Sequence, residues 1–338
     1  MKLFSPIAAI CFACSVLLFS CDKEYSVEDN TKVVGEGTAE GILGSGTAGD
    51  CSNTQKFGVY AQGLTTDSSN KVLVELNVTT PGTYNISTDT VNGVYFSKTG
   101  TITITGVTSI LLAATGTPAS TGSFAYTVKF KGTVCSFSID VLAVAPSNGT
   151  DYFPVTANSY WKYLSANPAA GPQDTSRNTS TGNIFTILGN NYFLFAKSDA
   201  SGTDSLFFRK SGGEYQQFAD LDIAGIADSV VAADYTFLKD NVPVGTTWES
   251  SEGDATVASV PVKIKLKLTI SSKNTSVQVG NAVFKDVIKV TTAEQVNQSA
   301  GYSTVFSYET WYAKGIGVIN IVAAAPLYGF LVQQYQVF

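Results

Sequence analysis

The sequence predicts an all-β protein built as two antiparallel sheet units. Three observations carry that prediction. Apolar and polar residues alternate over short runs along most of the chain. Clusters of Gly, Pro and Asn separate those runs, and 30 glycines stand against a single Met. Apart from one weak segment, Leu221 to Val231, nothing repeats with the 3.6-residue period of an amphipathic helix. A length of 338 residues suits two domains.

The amino terminus comes first. Residues 1–20 carry one cation, Lys2, and an apolar run from Ile7 to Phe19. A span of that length falls short of a membrane-crossing helix and reads as a signal peptide. Its end, Leu18-Phe19-Ser20-Cys21, resembles the lipobox of bacterial lipoproteins. The resemblance implies cleavage before Cys21 and acylation of that residue, and several acyl chains at about 0.8 kcal/mol per buried methylene make a stable anchor. The following Asp22-Lys23-Glu24 and Glu28-Asp29 look like the signal that sends Bacteroidota lipoproteins to the outer face of the outer membrane; the alternative reading is a solvated acidic tether. Residues 31–50 are Gly-rich with little apolar periodicity, so residues 21–50 are expected to form a lipidated, flexible spacer.

The first folded unit is expected over 51–145. Val72, Val74, Leu76 and Val78 alternate, as do Tyr84, Ile86 and Thr88, and then Tyr126, Val128 and Phe130. Pro81-Gly82, Asn92-Gly93 and Lys131-Gly132 supply the reversals between them. Once Cys11 and Cys14 leave with the signal and Cys21 is acylated, Cys51 and Cys135 remain. An even pair in an oxidising compartment suggests a disulfide, with two reduced buried thiols as the alternative. About seven short strands pinned by that pair describe an immunoglobulin-like β-sandwich. Gly82-Thr83-Tyr84-Asn85-Ile86, Asn92-Gly93-Val94-Tyr95-Phe96 and Gly116-Thr117-Pro118 resemble the Ig-like repeats of large Bacteroidota surface proteins. That resemblance implies a spacer or binding module.

The second unit is expected over 151–338, after the polar breaker 146–150. Its strands are longer, and the pattern fits a larger antiparallel sandwich or partly closed barrel. Ile264, Leu266 and Leu268 share one face of a strand, with Lys263, Lys265 and Lys267 on the other. Such a lysine row either greets an acidic ligand or forms a solvated face guarding a sheet edge. Tyr152-Phe153-Pro154, Tyr160-Trp161-Lys162-Tyr163, Pro243 to Trp248 and Trp311 to Val318 resemble stretches of uncharacterised Bacteroidota lipoproteins, a family that implies an architecture but no reaction.

Composition narrows function by exclusion. The chain contains no histidine, which removes Ser-His-Asp and Cys-His catalysis and most zinc sites; no metal or cofactor is expected. Net charge is −6 without a basic cluster able to neutralise phosphates, so nucleic acid is not expected as a partner. Gly44-Ser45-Gly46-Thr47-Ala48-Gly49 matches a dinucleotide-binding pattern in letters, but no strand leads into it and no helix follows. Asp199 to Asp204 has the look of a calcium loop without the ligand spacing, and reads better as a hairpin turn. Asp220 with Asp222, and Glu249 with Glu252 and Asp254, are the only close acidic groups; they read as solvated loop carboxylates or, less simply, as a hydrolytic pair.

The aromatic resource of the second unit is Trp161, Tyr163, Trp248, Trp311 and Tyr312. Such residues stack on sugar faces or pack the core. Asp89-Thr90-Val91, Asp204-Ser205-Leu206 and Asp228-Ser229-Val230 resemble acceptor sites of Bacteroidota O-glycosylation, at Thr90, Ser205 and Ser229. The expectation is therefore a lipid-anchored outer-membrane protein facing the exterior that binds a glycan or surface protein without catalysis. A structural envelope component and a carboxylate hydrolase are the alternatives.

Overall fold

A computed structural model describes residues 37–166, 175–221, 232–297, 301–323 and 329–338. Among them every regular element is a strand. The first unit holds β1 (Glu40–Leu43), β2 (Gln55–Phe57), β3 (Lys71–Thr80), β4 (Gly82–Thr88), β5 (Val94–Ile102), β6 (Gly106–Gly116), β7 (Gly122–Phe130) and β8 (Thr133–Val141). They hydrogen-bond in the order β1-β3-β6-β5-β4-β7-β8, with β2 also on β3. Strand β5 changes partner at Ser97, lying against β6 before it and against β4 after it. The sheet thereby doubles over, and the alternating apolar faces seen in the sequence meet. Val72, Val74 and Leu76 of β3 and Leu112 of β6 share one core with Tyr126 and Val128 of β7 and Phe137 and Ile139 of β8. Phe96 sits among them with its ring edge-on to Tyr126 and Phe137, centroids 5.0 and 5.1 Å away.

Cys51 and Cys135 form a disulfide, with Cα atoms 4.8 Å apart. It ties the segment before β2 to β8, alongside hydrogen bonds from Cys51 N to Ser136 O and from Ser136 N to Gly49 O. Two boundaries differ from expectation. The spacer expected up to residue 50 ends earlier, because β1 pairs with the edge of β3 and buries Leu43, and Ala39, just before it, is buried with its N donating to Thr83 O. Four residues are too few to show alternation, so only the waiting edge of β3 reveals them as a strand. The first unit also ends sooner, since β9 (Ala143–Val144) pairs in parallel with a strand of the second unit, and Ala145 N donates to Val283 O.

The second unit comprises β10 (Tyr160–Ala166), β11 (Thr175–Ile187), β12 (Asn190–Asp199), β13 (Gly202–Ser211), β14 (Glu214–Asp220), β15 (Ala232–Lys239), β16 (Thr247–Glu249), β17 (Gly253–Val257), β18 (Val260–Val279), β19 (Ala282–Asn297), β20 (Tyr302–Ala313), β21 (Gly317–Ala323) and β22 (Gly329–Gln336). Their order is β15-β14-β13-β12-β11-β10-β22-β21-β20-β19-β18-β16, with β17 on β18 and β9 on β19. Most neighbours are sequential hairpins. The long-range join is β10 against β22, which brings the two halves of the unit into one sheet. The outermost strands, β15 and β16, then meet: Trp248 Nε1 donates to Thr236 O at 2.7 Å. The result is a nearly closed barrel whose inner face holds one continuous apolar cluster. Leu221 is buried in that cluster; the rest of the weak helical segment, 222–231, lies outside the described residues.

Because the strands are antiparallel, their reversals alternate between the barrel's two ends. The chain enters at the end that carries the 188–189, 212–213 and 314–316 turns. There residues 146–155 form a plug. Asp151 O accepts from Gly315 N at 2.7 Å, the Asp151 carboxylate pairs with Lys210, and Asn148 Nδ2 donates to Val337 O. The opposite end carries the 200–201 and 258–259 turns.

Candidate functional site

Inward-pointing side chains follow from the cross-strand register. Trp161 and Tyr163 of β10 lie opposite Asn178 and Ser176 of β11. Asn178 in turn faces Lys197 of β12, and Phe195 faces Leu206 of β13. These residues, with Phe153 of the plug, Phe208, Phe237, Tyr308 and Tyr312, enclose a cavity of about 270 Å³. At the entry end Phe153 closes it, packed against Phe208, Phe237 and Phe195 with centroids 4.6, 5.1 and 5.5 Å away. Ser176, Lys197 and Leu206 lie toward the other end, beside the β12–β13 turn. The cavity is thus apolar and aromatic at its floor, with Ser176, Asn178 and Lys197 on one wall and Gln217, Thr292 and Thr310 on others.

The indole of Trp161 is held rigidly. Its Nε1 donates to Ile316 O at 2.6 Å, and it stands against Gly317, which also lines the cavity. Gly317 has φ +109°, and a Cβ there would lie 3.2 Å from the indole nitrogen, so both backbone and space favour glycine. Tyr163 donates to Val318 O and Tyr235 to Gln217 Oε1. Burial pushes the hydroxyls of Tyr163, Tyr235 and Tyr312 well above the ordinary phenol range, and burial followed by the nearby Glu294 charge raises Tyr308 to about 12. All four are neutral at physiological pH and act as hydrogen-bonding groups rather than bases. Asn178 Oδ1 is buried with no hydrogen-bond partner. Among the described residues no Asp or Glu lines the cavity.

The five aromatic candidates separate. Trp161, Tyr163 and Tyr312, only 4%, 8% and 4% exposed, converge on the cavity. Trp248 is half-buried at the seam between β15 and β16. Trp311 points to the outer face, where Lys289 covers its ring at 3.9 Å and Glu309 Oε2 accepts from its Nε1 at 2.6 Å. The lysine row is ion-paired in part, Lys263 with Asp254 and Lys265 with Glu249, on the outer face. Asp199 and Gly202 close a two-residue hairpin, as expected for that segment. Thr90 and Ser205 are exposed; Ser229, Asp222 and Cys21 lie outside the described residues.

Sequence reasoning did not single out Phe153, Phe195, Phe208, Phe237, Asn178 or Lys197 as a site. The available signal was the density of aromatics in β12 and β13, which marks burial but not a void. No protein-family model and no curated protein matches the sequence. Two solved structures align with it. One is of a protein described as exported and of YmcC-like fold from Bacteroides fragilis NCTC 9343, at 12% identity and TM-score 0.37, covering 55% of this chain and 99% of that one. The other is of a protein described as a lipoprotein from Parabacteroides distasonis ATCC 8503, at 13% identity and TM-score 0.36, covering 56% of this chain and all of that one.

Proposed function

We propose that this chain is a lipid-anchored outer-membrane protein facing the cell exterior, whose second unit binds a small extracellular ligand inside its barrel. The carrying observation is the aromatic cavity, sealed at one end by Phe153 and lined by three of the aromatics the sequence nominated. The Leu18-Phe19-Ser20-Cys21 stretch supports the anchor, with Cys21 as the acylated residue, and Asp22-Lys23-Glu24 supports outward display. In this reading the first unit is an Ig-like spacer. Register supports that role: Leu43 N bonds Thr133 Oγ1 at the β7–β8 turn, whereas the chain leaves by the opposite end of β8.

A cavity closed at one end admits a compact molecule or a chain end rather than the flank of a long polysaccharide. Hydrolysis finds no support in it, because a two-carboxylate mechanism needs paired Asp or Glu and the described lining has neither. Titration of the mature protein with a panel of small glycans and apolar acids, read by tryptophan fluorescence, in which Trp161 is the tryptophan that lines the cavity, tests the site. Saturable changes that disappear in Leu206→Trp, which fills the cavity, are expected. No response to any compound, including the apolar dye anilinonaphthalene sulfonate, overturns the proposal. Protease shaving of intact cells checks display: loss of the protein is expected, and full protection would place it on the periplasmic side.

A further inference from the structure

We infer that the cavity takes a compact amphipathic acid, with one ring or short branched chain seated on the phenylalanine floor and one anionic head directed to Lys197. This deepens the reading of the barrel as a ligand site and rests on it.

Size sets the first limit. A void of about 150 Å³ holds a benzene molecule, and drug-sized ligands occupy about 300–1,000 Å³. At about 270 Å³ the cavity suits one ring with a short tail and excludes a two-chain lipid. Chemistry sets the second limit. The floor is made by Phe153, Phe195, Phe208 and Phe237, which offer dispersion and burial but no directional groups. A sugar ring seated on that floor meets no hydrogen-bonding group in it, and burying a hydroxyl without a partner carries a cost.

Charge sets the third. Among the described residues Lys197 is the one cation lining the cavity, and it faces Asn178 directly across β11 and β12. On the outer side of the same wall Lys162 and Arg177 oppose one another across β10 and β11, in a cleft shared with Tyr160, Ser198 and Gln334. Asp199 is the only carboxylate of that cleft among the described residues; it pairs with Lys197 at 3.1 Å and also accepts from Ser201. With Asp204 directly opposite Lys197 across β12 and β13, three cations stand against two carboxylates, which leaves this rim one net positive charge in a chain of net charge −6. Exposed cations raise the local concentration of anions. An anionic head is therefore drawn to the Lys197 side. The unpartnered Asn178 Oδ1, next to Lys197, accepts from a hydroxyl beside that head.

Calorimetric titration of the full mature chain with 3-phenylpropionate, 3-phenyllactate, 3-phenylpropan-1-ol and methyl β-glucoside tests the inference. The two acids should bind about tenfold more tightly than the alcohol, with phenyllactate the tighter acid, as expected for a charge-assisted contact plus one hydrogen bond. Lys197→Gln should bring the acid-to-alcohol ratio close to one, and Lys197→Arg should preserve it. Equal binding of acid and alcohol by the native chain, or preference for the glucoside, overturns the ligand class while leaving the cavity a binding site. Failure of all four probes and of the apolar dye overturns the site itself.

Discussion

Phe96 and Phe208 each meet three other aromatic rings, yet they live in different interiors. Around Phe96 the rings of Tyr126, Phe137 and Tyr60 belong to a filled core clamped by the disulfide. Phe208, packed on Phe153, Phe195 and Phe237, has one side on an open cavity. The same alternation of apolar and polar residues produced both. What differs is how far the sheet extends before it closes. Eight strands that double over at β5 bring two faces into contact, whereas the longer sheet of the second unit rolls, and a barrel's width grows with its strand number. Beyond a certain width side chains no longer reach across.

That contrast can be broken by experiment, and the largest effect is expected at the disulfide. All three tryptophans lie in the second unit, so Trp fluorescence follows that unit alone while far-UV circular dichroism follows both. Replacing Cys51 and Cys135 by Ala should cost the first unit about 4.5 kcal/mol by the chain-entropy relation for a loop of this length. The dichroism midpoint in urea should fall while the Trp midpoint holds; a joint fall would mean that the units unfold as one.

Enlarging a side chain should separate solid from hollow. Val128→Phe, into a fully buried position of the first core, is expected to destabilise by about 2 kcal/mol through overpacking. Leu206→Phe, facing the cavity, should change stability by less than about 0.5 kcal/mol because the added atoms enter existing space. Equal penalties in urea titrations would show that the cavity is not available volume.

Trp248→Phe removes the hydrogen bond that joins β16 to β15 while keeping an aromatic ring at the seam. A loss of about 1 kcal/mol is expected in the Trp-monitored transition, with faster exchange of the amides of β15. The smallest change lies at the β11–β12 tip. Leu188 and Gly189 both have positive φ, 50° and 80°, between the paired Ile187 and Asn190. Leucine there is 85% exposed and strained, so Leu188→Asn should stabilise by about 0.5 kcal/mol in thermal unfolding.

Much of the fold was legible because alternation with period two is a local signal. Val72 to Val78 and Ile264 to Leu268 announce strands with a buried face, and Cys135 shares phase with Phe137 and Ile139. β1 was not legible, being four residues long and defined by its partner. The aromatic candidates were legible as a set but not as a site. Nothing near Trp161 or Trp311 in sequence says that one points inward to a cavity and the other outward beneath Lys289.

By itself, then, the sequence determined the all-β class, the strand faces, the two cysteines left to pair and the absence of histidine chemistry, since each depends on residue identity or on spacing within a strand. Only the tertiary structure decided that β10 pairs with β22, that Phe153 returns as a plug, and that Asn178 and Lys197 share a wall with Trp161. Those contacts join residues up to 176 positions apart, from Tyr160 to Gln336. The register of such pairings is set by which faces can be buried together once the whole sheet has rolled, a property of the assembled chain rather than of any window within it.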